Sequence, residues 1–224
     1  MNTLNIAIDG PAGAGKSTIA KIIASKLGII YLDTGAMYRA AALKCLREGI
    51  DTKDTYMVRK MVDLIDIKIV FEDNEQRIFL DNEDVTGLLR TKEVTTASSD
   101  VAVVPEIRKK LVEIQRKIAA KKSVIMDGRD IGSYVLPNAK YKFFLTASVE
   151  ERAKRRYKEQ IEKGISGTDY DDVYKDIVYR DKNDSSREFA PLIKASGSIE
   201  LDTTNMGIDQ VVDEILKTVG AADV

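Results

Sequence analysis

A glycine-rich segment near the start of the chain carries the residues best suited to chemistry. It follows a short apolar run, leads into an amphipathic stretch, and consists of Gly10, Pro11, Ala12, Gly13, Ala14, Gly15, Lys16, Ser17 and Thr18. This spacing is typical of a phosphate-binding loop, in which glycines let successive backbone N–H groups point at phosphate oxygens. The lysine can reach the β- and γ-phosphates of a nucleoside triphosphate, the serine hydroxyl can ligate Mg²⁺, and the following helix adds its positive dipole end.

A second candidate for the same chemistry is Asp127, which ends the apolar run 123–126. In triphosphate-binding proteins, an aspartate at such a strand end usually holds Mg²⁺ or a water molecule bound to it. Apolar runs that end in aspartate are common, so this pattern supports the hypothesis only together with the glycine-rich segment.

Arginines are distributed as a second anionic pocket would require. Arg39 follows a turn-like stretch at 33–35, and Arg129 lies two residues after Asp127. Ligands of open α/β sheets gather beyond the carboxyl ends of the strands, so Arg129 is expected beside the glycine-rich loop. The guanidinium fork suits bidentate phosphate contacts, although a solvated helix surface with local salt bridges explains any single arginine equally well. Two further groups have helical spacing: Arg152, Arg155 and Arg156, and Arg180, Asp184 and Arg187.

Three classes of triphosphate-binding protein compete at this point. A GTPase switch would need an Asn-Lys-x-Asp segment that reads guanine; none occurs, and residues 182–184 have the order wrong. A motor or transport ATPase would usually be larger or carry partner-binding segments. A small-molecule kinase needs a second anionic pocket, so the arginines favour it. The acceptor could still be a nucleotide such as AMP, UMP or dTMP, or shikimate, and a regulatory module that binds ATP without turnover also stays open.

Short apolar runs alternate with amphipathic stretches along the chain and must position these residues. Strands are expected at 4–9, 29–32, 123–126 and 141–145, and near Ile199 and Leu201. Helices are expected at 16–27, 36–48 and 56–65, and in three further stretches that begin at Pro105, after Ser148 and at Ile208. This alternation predicts an α/β fold with three layers, in which helices cover both faces of a central parallel sheet.

One segment breaks the alternation. Ile67, Ile69 and Phe71 alternate with polar residues, a turn-like stretch follows at 73–75, and Ile78 and Leu80 alternate again. This pattern predicts an antiparallel hairpin. We therefore expect an insert at 62–98 between the second and third core strands, and a core formed by 1–61 and 99–224.

Composition argues against several other functions, although local basic pockets stay possible. The 224 residues include 35 basic and 36 acidic side chains, whereas a nucleic-acid binder usually carries a basic excess. The chain contains no histidine, so histidine catalysis and histidine metal sites are excluded.

Apolar stretches fall short of the roughly 20 residues of a membrane span. The single cysteine, Cys45, allows no intrachain disulfide and fits a reducing compartment, and the first residues lack a signal-peptide pattern. We expect a cytoplasmic protein.

Taken in order, these segments closely resemble those of bacterial cytidylate kinase, a family of P-loop nucleoside monophosphate kinases. The resemblance rests on residues 10–18, 32–39, 101–108, 127–132 and 180–187 and extends over nearly the whole chain. The hairpin insert is similar to the enlarged nucleoside-monophosphate domain of the longer bacterial form. The resemblance implies transfer of the γ-phosphoryl group of ATP to CMP, and to dCMP, with Mg²⁺. It also implies a monomer that acts on small nucleotides rather than on nucleic acid or a membrane.

The resemblance further implies a role for each matching residue. Cytosine would be read by Ser99, Arg108 and Asp130, and the sugar contacted by Thr34, Arg180 and Asp184. The monophosphate would be held by Arg39, Arg129 and Arg187. A lid at about 150–168 would bring Arg152, Arg155 and Arg156 over the triphosphate. Lys16, Asp127, Arg129 and Arg187 would form the reaction centre, with Asp127 also facing the acceptor.

Two positions depart from the family pattern. Thr34 stands where some members carry serine, which keeps the hydroxyl. Residues 95–98, directly before Ser99, lack an asparagine often seen there. The absence of an evident base is consistent with the proposed acceptor. A phosphate monoester has a second pKa of about 6 and is already ionised at neutral pH.

Overall fold

The strands and helices follow the predicted alternation closely. The computed structural model describes residues 3–72, 75–162, 164, 167 and 169–221. The strands in this part of the chain are β1 (Asn5–Asp9), β2 (Ile30–Asp33), β3 (Ile67–Glu72), β4 (Glu75–Leu80), β5 (Glu83–Asp84), β6 (Val124–Gly128), β7 (Tyr141–Thr146) and β8 (Ile199–Asp202). The helices are α1 (Lys16–Leu27), α2 (Thr34–Arg47), α3 (Thr55–Met61), α4 (Lys92–Val101), α5 (Pro105–Ala119), α6 (Val149–Glu162), α7 (Tyr170–Ser186) and α8 (Ile208–Val219).

Five parallel strands form the central sheet in the order β2-β6-β1-β7-β8. In the register of β1 and β6, Asp9 lies opposite Gly128; in that of β2 and β6, Asp33 lies opposite Asp127. The carboxyl ends of β1, β2 and β6 therefore meet at one edge of the sheet. This edge is where parallel α/β sheets bind ligands.

Alternating side chains of the central strands fill two separate cores. Ile8 of β1 and Ile125 of β6 pack with Ile23 of α1 and Ile215 of α8 on one face. On the other face, a second cluster includes Ala7, Leu32, Val112 and Met126. Helices thus cover both faces of the sheet, and the predicted three-layer α/β fold is confirmed. No helix within the described residues has the length and apolar content required to cross a membrane.

The predicted hairpin is present and belongs to a larger unit. β3 and β4 pair antiparallel, with Ile69 opposite Ile78, and the short β5 adds a third strand that the sequence pattern did not indicate. Asp73 and Asn74 of the expected turn lie outside the described residues. Ile78 and Leu80 are buried in one cluster with Met37 of α2 and Val94 of α4. This three-stranded sheet therefore packs directly on the helix that follows β2.

Three local features differ from expectation. The helix expected at 56–65 ends at Met61, and a 3₁₀ turn (Val62–Leu64) lets the chain extend at Ile65 before β3. α4 was not predicted, although Thr91 caps it by accepting a hydrogen bond from the backbone N–H of Val94. A π-helical turn (Ile131–Val135) follows β6. Such turns are frequent at functional sites.

Candidate active site

The glycine-rich loop lies so close to its neighbours that two positions admit only glycine. Gly10 has a φ of 147°, and a Cβ atom there would lie 2.0 Å from the backbone oxygen of Leu145 in β7. At Gly13, with a φ of 77°, a Cβ atom would lie 3.0 Å from the backbone oxygen of Arg152. α1 begins directly after Gly15, and no side chain caps its first turn. Its leading N–H groups therefore remain for an anion.

Lys16 is buried inside this loop. Its Nζ donates a 2.7 Å hydrogen bond to the backbone oxygen of Pro11. Burial and the charge of Arg129 lower the pKa of Lys16 to about 7, against the opposing effect of Asp127. A polyphosphate bound at the loop would restore the ammonium, because a nearby negative charge favours the charged form of lysine.

The Ser17 hydroxyl and the Asp127 carboxylate are in direct contact. Ser17 donates a 2.7 Å hydrogen bond to Oδ2 of Asp127, and the Tyr31 hydroxyl donates a 2.9 Å bond to Oδ1. Burial, with the nearby Asp33, raises the pKa of Asp127. Within the described residues, no group of three or more acidic or thiol side chains could hold a metal ion. These two oxygen ligands nevertheless fit Mg²⁺, which takes one or two protein ligands and completes its shell with phosphates and water.

Arg129 and Arg187 converge on the carboxyl group of Asp184. Nε of Arg129 donates a 2.6 Å hydrogen bond to Oδ2, and Nη2 of Arg187 lies 3.4 Å from Oδ1. Burial alone would raise the pKa of Asp184, but the two arginines outweigh it and hold that pKa below its usual value. The prediction that Arg180, Asp184 and Arg187 share one helical face is wrong for Arg187. α7 ends at Ser186, and Arg187 is extended at ψ 132°, so its guanidinium turns back toward Asp184.

Of the three residues predicted to read the base, Arg108 and Asp130 contact each other. Arg108 is fully buried and donates hydrogen bonds to the carboxylate of Asp130 and to the backbone oxygen of Ala102. Its guanidinium carbon lies 5.3 Å from the centre of the Tyr38 ring. Ser99, on α4, accepts a 3.4 Å hydrogen bond from Nδ2 of Asn183 on α7. The α7 segment that carries Asp184 therefore lies against the helix that carries Ser99.

The remaining acceptor residues lie around the ends of β2 and α7. The hydroxyl of Thr34 donates a 2.7 Å hydrogen bond to the backbone oxygen of Asp127, and Arg39 pairs with Asp33 at 2.8 Å. Nε of Arg180 lies 3.0 Å from Oδ2 of Asp176, outside hydrogen-bonding geometry.

The three arginines expected to act together over the triphosphate are not equivalent. Arg152 is buried and donates a 2.9 Å hydrogen bond to the backbone oxygen of Ala12 in the glycine-rich loop. Arg155 instead bonds Thr203 at 2.9 Å, and Arg156 bonds the carboxylate of Glu159 at 2.9 Å. The expected lid at about 150–168 coincides with α6 as far as Glu162, and its residues 163, 165, 166 and 168 lie outside the described residues.

Several guanidinium nitrogens of this region are buried without a hydrogen-bond partner. Within the described part of the chain, they are Nε of Arg39, Nε of Arg108, Nε of Arg180 and Nη2 of Arg187. All four belong to arginines predicted to contact the acceptor. Two of the four, Nε of Arg180 and Nη2 of Arg187, still lie within ion-pair distance of a carboxylate. Because an unsatisfied buried donor costs about 1–3 kcal/mol, this set of donors indicates a site shaped for an anionic ligand.

Sequence reasoning missed three side chains that organise the site. The carboxylate of Asp9 accepts 2.7 Å hydrogen bonds from the backbone N–H groups of Ile131 and Gly132, and so holds the π-helical turn beside Asp130. Tyr31 orients Asp127, and Tyr38 lies against Arg108. The position of Asp9 at the end of β1 was the only signal for it; the two tyrosines lie in β2 and α2 without a distinguishing pattern.

Known proteins resemble this chain in sequence and in fold. The sequence model of the cytidylate kinase family matches residues 6–221. The cytidylate kinase of Clostridioides difficile (strain 630) is 53% identical over 219 residues, covering 98% of this chain and 99% of that protein. The cytidylate kinase of Caldicellulosiruptor bescii is 50% identical over 217 residues, covering 97% of this chain and 96% of that protein. A solved structure of shikimate kinase from Bacteroides thetaiotaomicron has a similar fold, with 13% identity, a TM-score of 0.50, and coverage of 97% of this chain and 98% of that chain.

Proposed function

Because the chain belongs to the cytidylate kinase family, we propose that it transfers the γ-phosphoryl group of ATP to CMP, giving ADP and CDP. The observation that carries this proposal is the group of buried arginines in which a guanidinium nitrogen has no hydrogen-bond partner. A triphosphate loop alone would serve any ATPase. A second cationic pocket at the same edge of the sheet supplies a place for a phosphorylated acceptor.

The donor side of the reaction uses the loop and its lysine. Backbone N–H groups of the loop and of the first turn of α1 would bind the triphosphate, and Lys16 would contact its terminal phosphates. Ser17 and Asp127 would hold Mg²⁺. When bound, Mg²⁺ neutralises charge on the β- and γ-phosphates. Arg152 bonds the loop directly and would stiffen it against α6.

The acceptor side uses arginines to bind the CMP phosphate. Arg39, Arg129 and Arg187 would neutralise its two negative charges and align one oxygen with the γ-phosphorus. This oxygen is already ionised at neutral pH, because the second pKa of a phosphate monoester is about 6. The reaction therefore depends on positioning and charge neutralisation, and no side chain has to remove a proton.

The base and sugar would bind between α4, α5 and α7. Asp130 can accept a hydrogen bond from the exocyclic amine of cytosine, while Arg108 and Ser99 can donate to its ring nitrogen and carbonyl. UMP carries a carbonyl in place of the amine, which would leave Asp130 unpaired. Thr34, Arg180 and Asp184 would contact the sugar, and either hydroxyl suits them, so dCMP should also be phosphorylated.

An acceptor panel tests the function directly. ADP formation in a coupled assay is measured with CMP, dCMP, UMP, AMP, dTMP and shikimate, in the presence of ATP and Mg²⁺. We expect turnover with CMP and dCMP, much less with UMP, and loss of turnover in Lys16→Met. ATP binding without acceptor-dependent ADP formation would instead support a regulatory module. Omitting Mg²⁺ should abolish turnover.

We further expect a monomer by sedimentation, and a cytoplasmic role in supplying pyrimidine nucleotides.

A further inference from the structure

The side chain of Gln76 joins the three-stranded sheet to the central sheet. Its Oε1 accepts a 2.7 Å hydrogen bond from the backbone N–H of Asp33, and its Nε2 donates a 3.2 Å bond to the backbone oxygen of the same residue. β2 is an edge strand of the central sheet, so among the described residues no strand of that sheet pairs with these two backbone groups of Asp33. The amide of Gln76 satisfies both groups, as a further strand would.

The side chain of Asp33 is equally constrained. Oδ1 caps α2 by accepting a 2.9 Å hydrogen bond from the backbone N–H of Ala36, and Oδ2 accepts a 2.8 Å bond from Nη2 of Arg39. A second cation, Arg90, approaches Oδ2 to 4.0 Å from the segment that follows β5. Asp33 thus has its backbone fixed by Gln76 and in turn fixes the guanidinium of Arg39.

Arg39 is the end of this chain of contacts. Its side chain is only 19% exposed, and its Nε is buried without a hydrogen-bond partner. A guanidinium that contacts a phosphate through two parallel bonds tolerates little displacement, so the orientation imposed by Asp33 matters for binding.

We propose that Gln76 is a positioning residue for the acceptor: through Asp33, it holds Arg39 in the orientation that binds the phosphate of a nucleoside monophosphate. This inference rests on the proposed function, because it requires Arg39 to contact that phosphate. The small sheet, which packs on α2, would then support the binding site, because loss of the Gln76 contact would release the backbone of Asp33. If Gln76 only covered a free strand edge, its replacement would affect stability and leave acceptor binding unchanged.

Two substitutions remove the contact in different ways. Gln76→Met keeps the length of the side chain and deletes both hydrogen bonds. Gln76→Glu keeps an acceptor for the Asp33 N–H but replaces the donor with a carboxylate oxygen that faces the Asp33 carbonyl. Arg77→Met is the matched control, because Arg77 is the next residue of β4 and pairs with Glu72 and Asp84.

Steady-state kinetics with CMP and ATP, together with thermal unfolding, measure the effect. Both Gln76 variants should raise KM for CMP about tenfold and leave KM for ATP within about twofold, while the Arg77 control changes neither. If one variant does not fold, the other carries the test. An unchanged KM for CMP with a lowered Tm in a folded Gln76 variant would overturn the proposal.

A double-mutant cycle then identifies the route of the effect. If Gln76 acts through Arg39, Gln76→Met should change KM for CMP by less than about twofold in an Arg39→Ala background. If Gln76→Met raises KM for CMP by the same factor in the Arg39→Ala background as in the unsubstituted protein, the two effects are independent and the inference is overturned. A normal KM for CMP in Arg39→Ala alone would overturn the role of Arg39 and this inference with it, but not the CMP kinase activity. Failure of the unsubstituted protein to phosphorylate CMP would overturn the proposed function itself.

Discussion

Arg108 donates a hydrogen bond to the carboxylate of Asp130, and both side chains are buried. This pair brings together two residues that lie far apart in the chain, one on α5 and one between β6 and the π-helical turn. Each holds the other in place, so a base would meet a preorganised donor and acceptor. Nε of Arg108 has no partner and remains for such a ligand.

Replacing Asp130 should therefore weaken discrimination between bases. Asp130→Asn keeps the shape of the side chain but adds an amide donor, which can pair with the uracil carbonyl. We expect the ratio of kcat/KM for CMP to that for UMP to fall at least about tenfold, a typical consequence of mispairing a buried polar group. Glu113→Gln, at an exposed ion pair with Lys117, is the control. An unchanged ratio would contradict the proposed base pocket.

The two glycines at the ends of the loop should respond differently to substitution. In Gly10→Ala, the new Cβ would lie 2.0 Å from a backbone oxygen of β7, which cannot move without disturbing the sheet. In Gly15→Ala, no atom lies within 4 Å of the new Cβ, and only the strain of a φ of 84° remains. Urea unfolding should show a loss of about 1 kcal/mol for Gly15→Ala and several-fold more for Gly10→Ala. Equal losses would mean that the close approach at Gly10 does not matter.

Asp9 should make stability depend on pH near neutrality. Burial raises the pKa of Asp9 to about 7, although its hydrogen bonds with Gly132 and Ile131 oppose this. Because the folded-state pKa lies above the ordinary value of 3.8, the contribution of Asp9 to stability is complete below pH 3.8 and is lost as pH rises to about 7. Nearby charges from Asp130 and Lys16 also act on this carboxyl group.

The test compares the unsubstituted protein with Asp9→Asn by urea unfolding. Between about pH 5 and pH 8, the free energy of unfolding of the unsubstituted protein should fall by about 2–3 kcal/mol relative to that of the variant, since one pKa unit corresponds to about 1.4 kcal/mol. Any fixed cost of the substitution cancels in this comparison. If the difference in free energy of unfolding between the two proteins stays constant with pH, Asp9 remains ionised throughout the range.

Tyr179 should help to hold α7 against α4. Its hydroxyl donates a 2.9 Å hydrogen bond to Oδ1 of Asp100, whose Oδ2 accepts a 3.1 Å bond from Thr52. Tyr179→Phe should lower the free energy of unfolding by about 1–2 kcal/mol, because it removes a donor from a buried carboxylate. KM for CMP should rise a few-fold, since Asp100 adjoins Ser99 and α7 carries Asp184. The control is Val178→Ala, at the neighbouring exposed side chain, which should leave KM for CMP unchanged. An equal change of KM in both variants would contradict the role given to the Tyr179 hydroxyl.

Local patterns predicted most of the elements. The glycine-rich loop, the alternation of strands and helices, and the hairpin at β3 and β4 each depend on spacings of a few residues, and such spacings directly set backbone conformation and the buried face. The loop also indicated its ligand, because only a narrow set of residue types can cradle a phosphate. α4 and the π-helical turn were missed because their formation depends on packing: Val94 and Val101 of α4 are buried against α2, and the turn is held by Asp9.

The sequence by itself determined the class of fold, the triphosphate loop and, through its resemblance to a family, the residues to consider. Only the tertiary structure decided how those residues pair. Arg187 meets Asp184 beyond the end of a helix, Arg155 bonds Thr203 rather than the loop, and Gln76 fixes Asp33 from another sheet. Most of these contacts join residues that lie far apart in the chain. Strand order and the packing of the small sheet bring them together, and no local spacing encodes either.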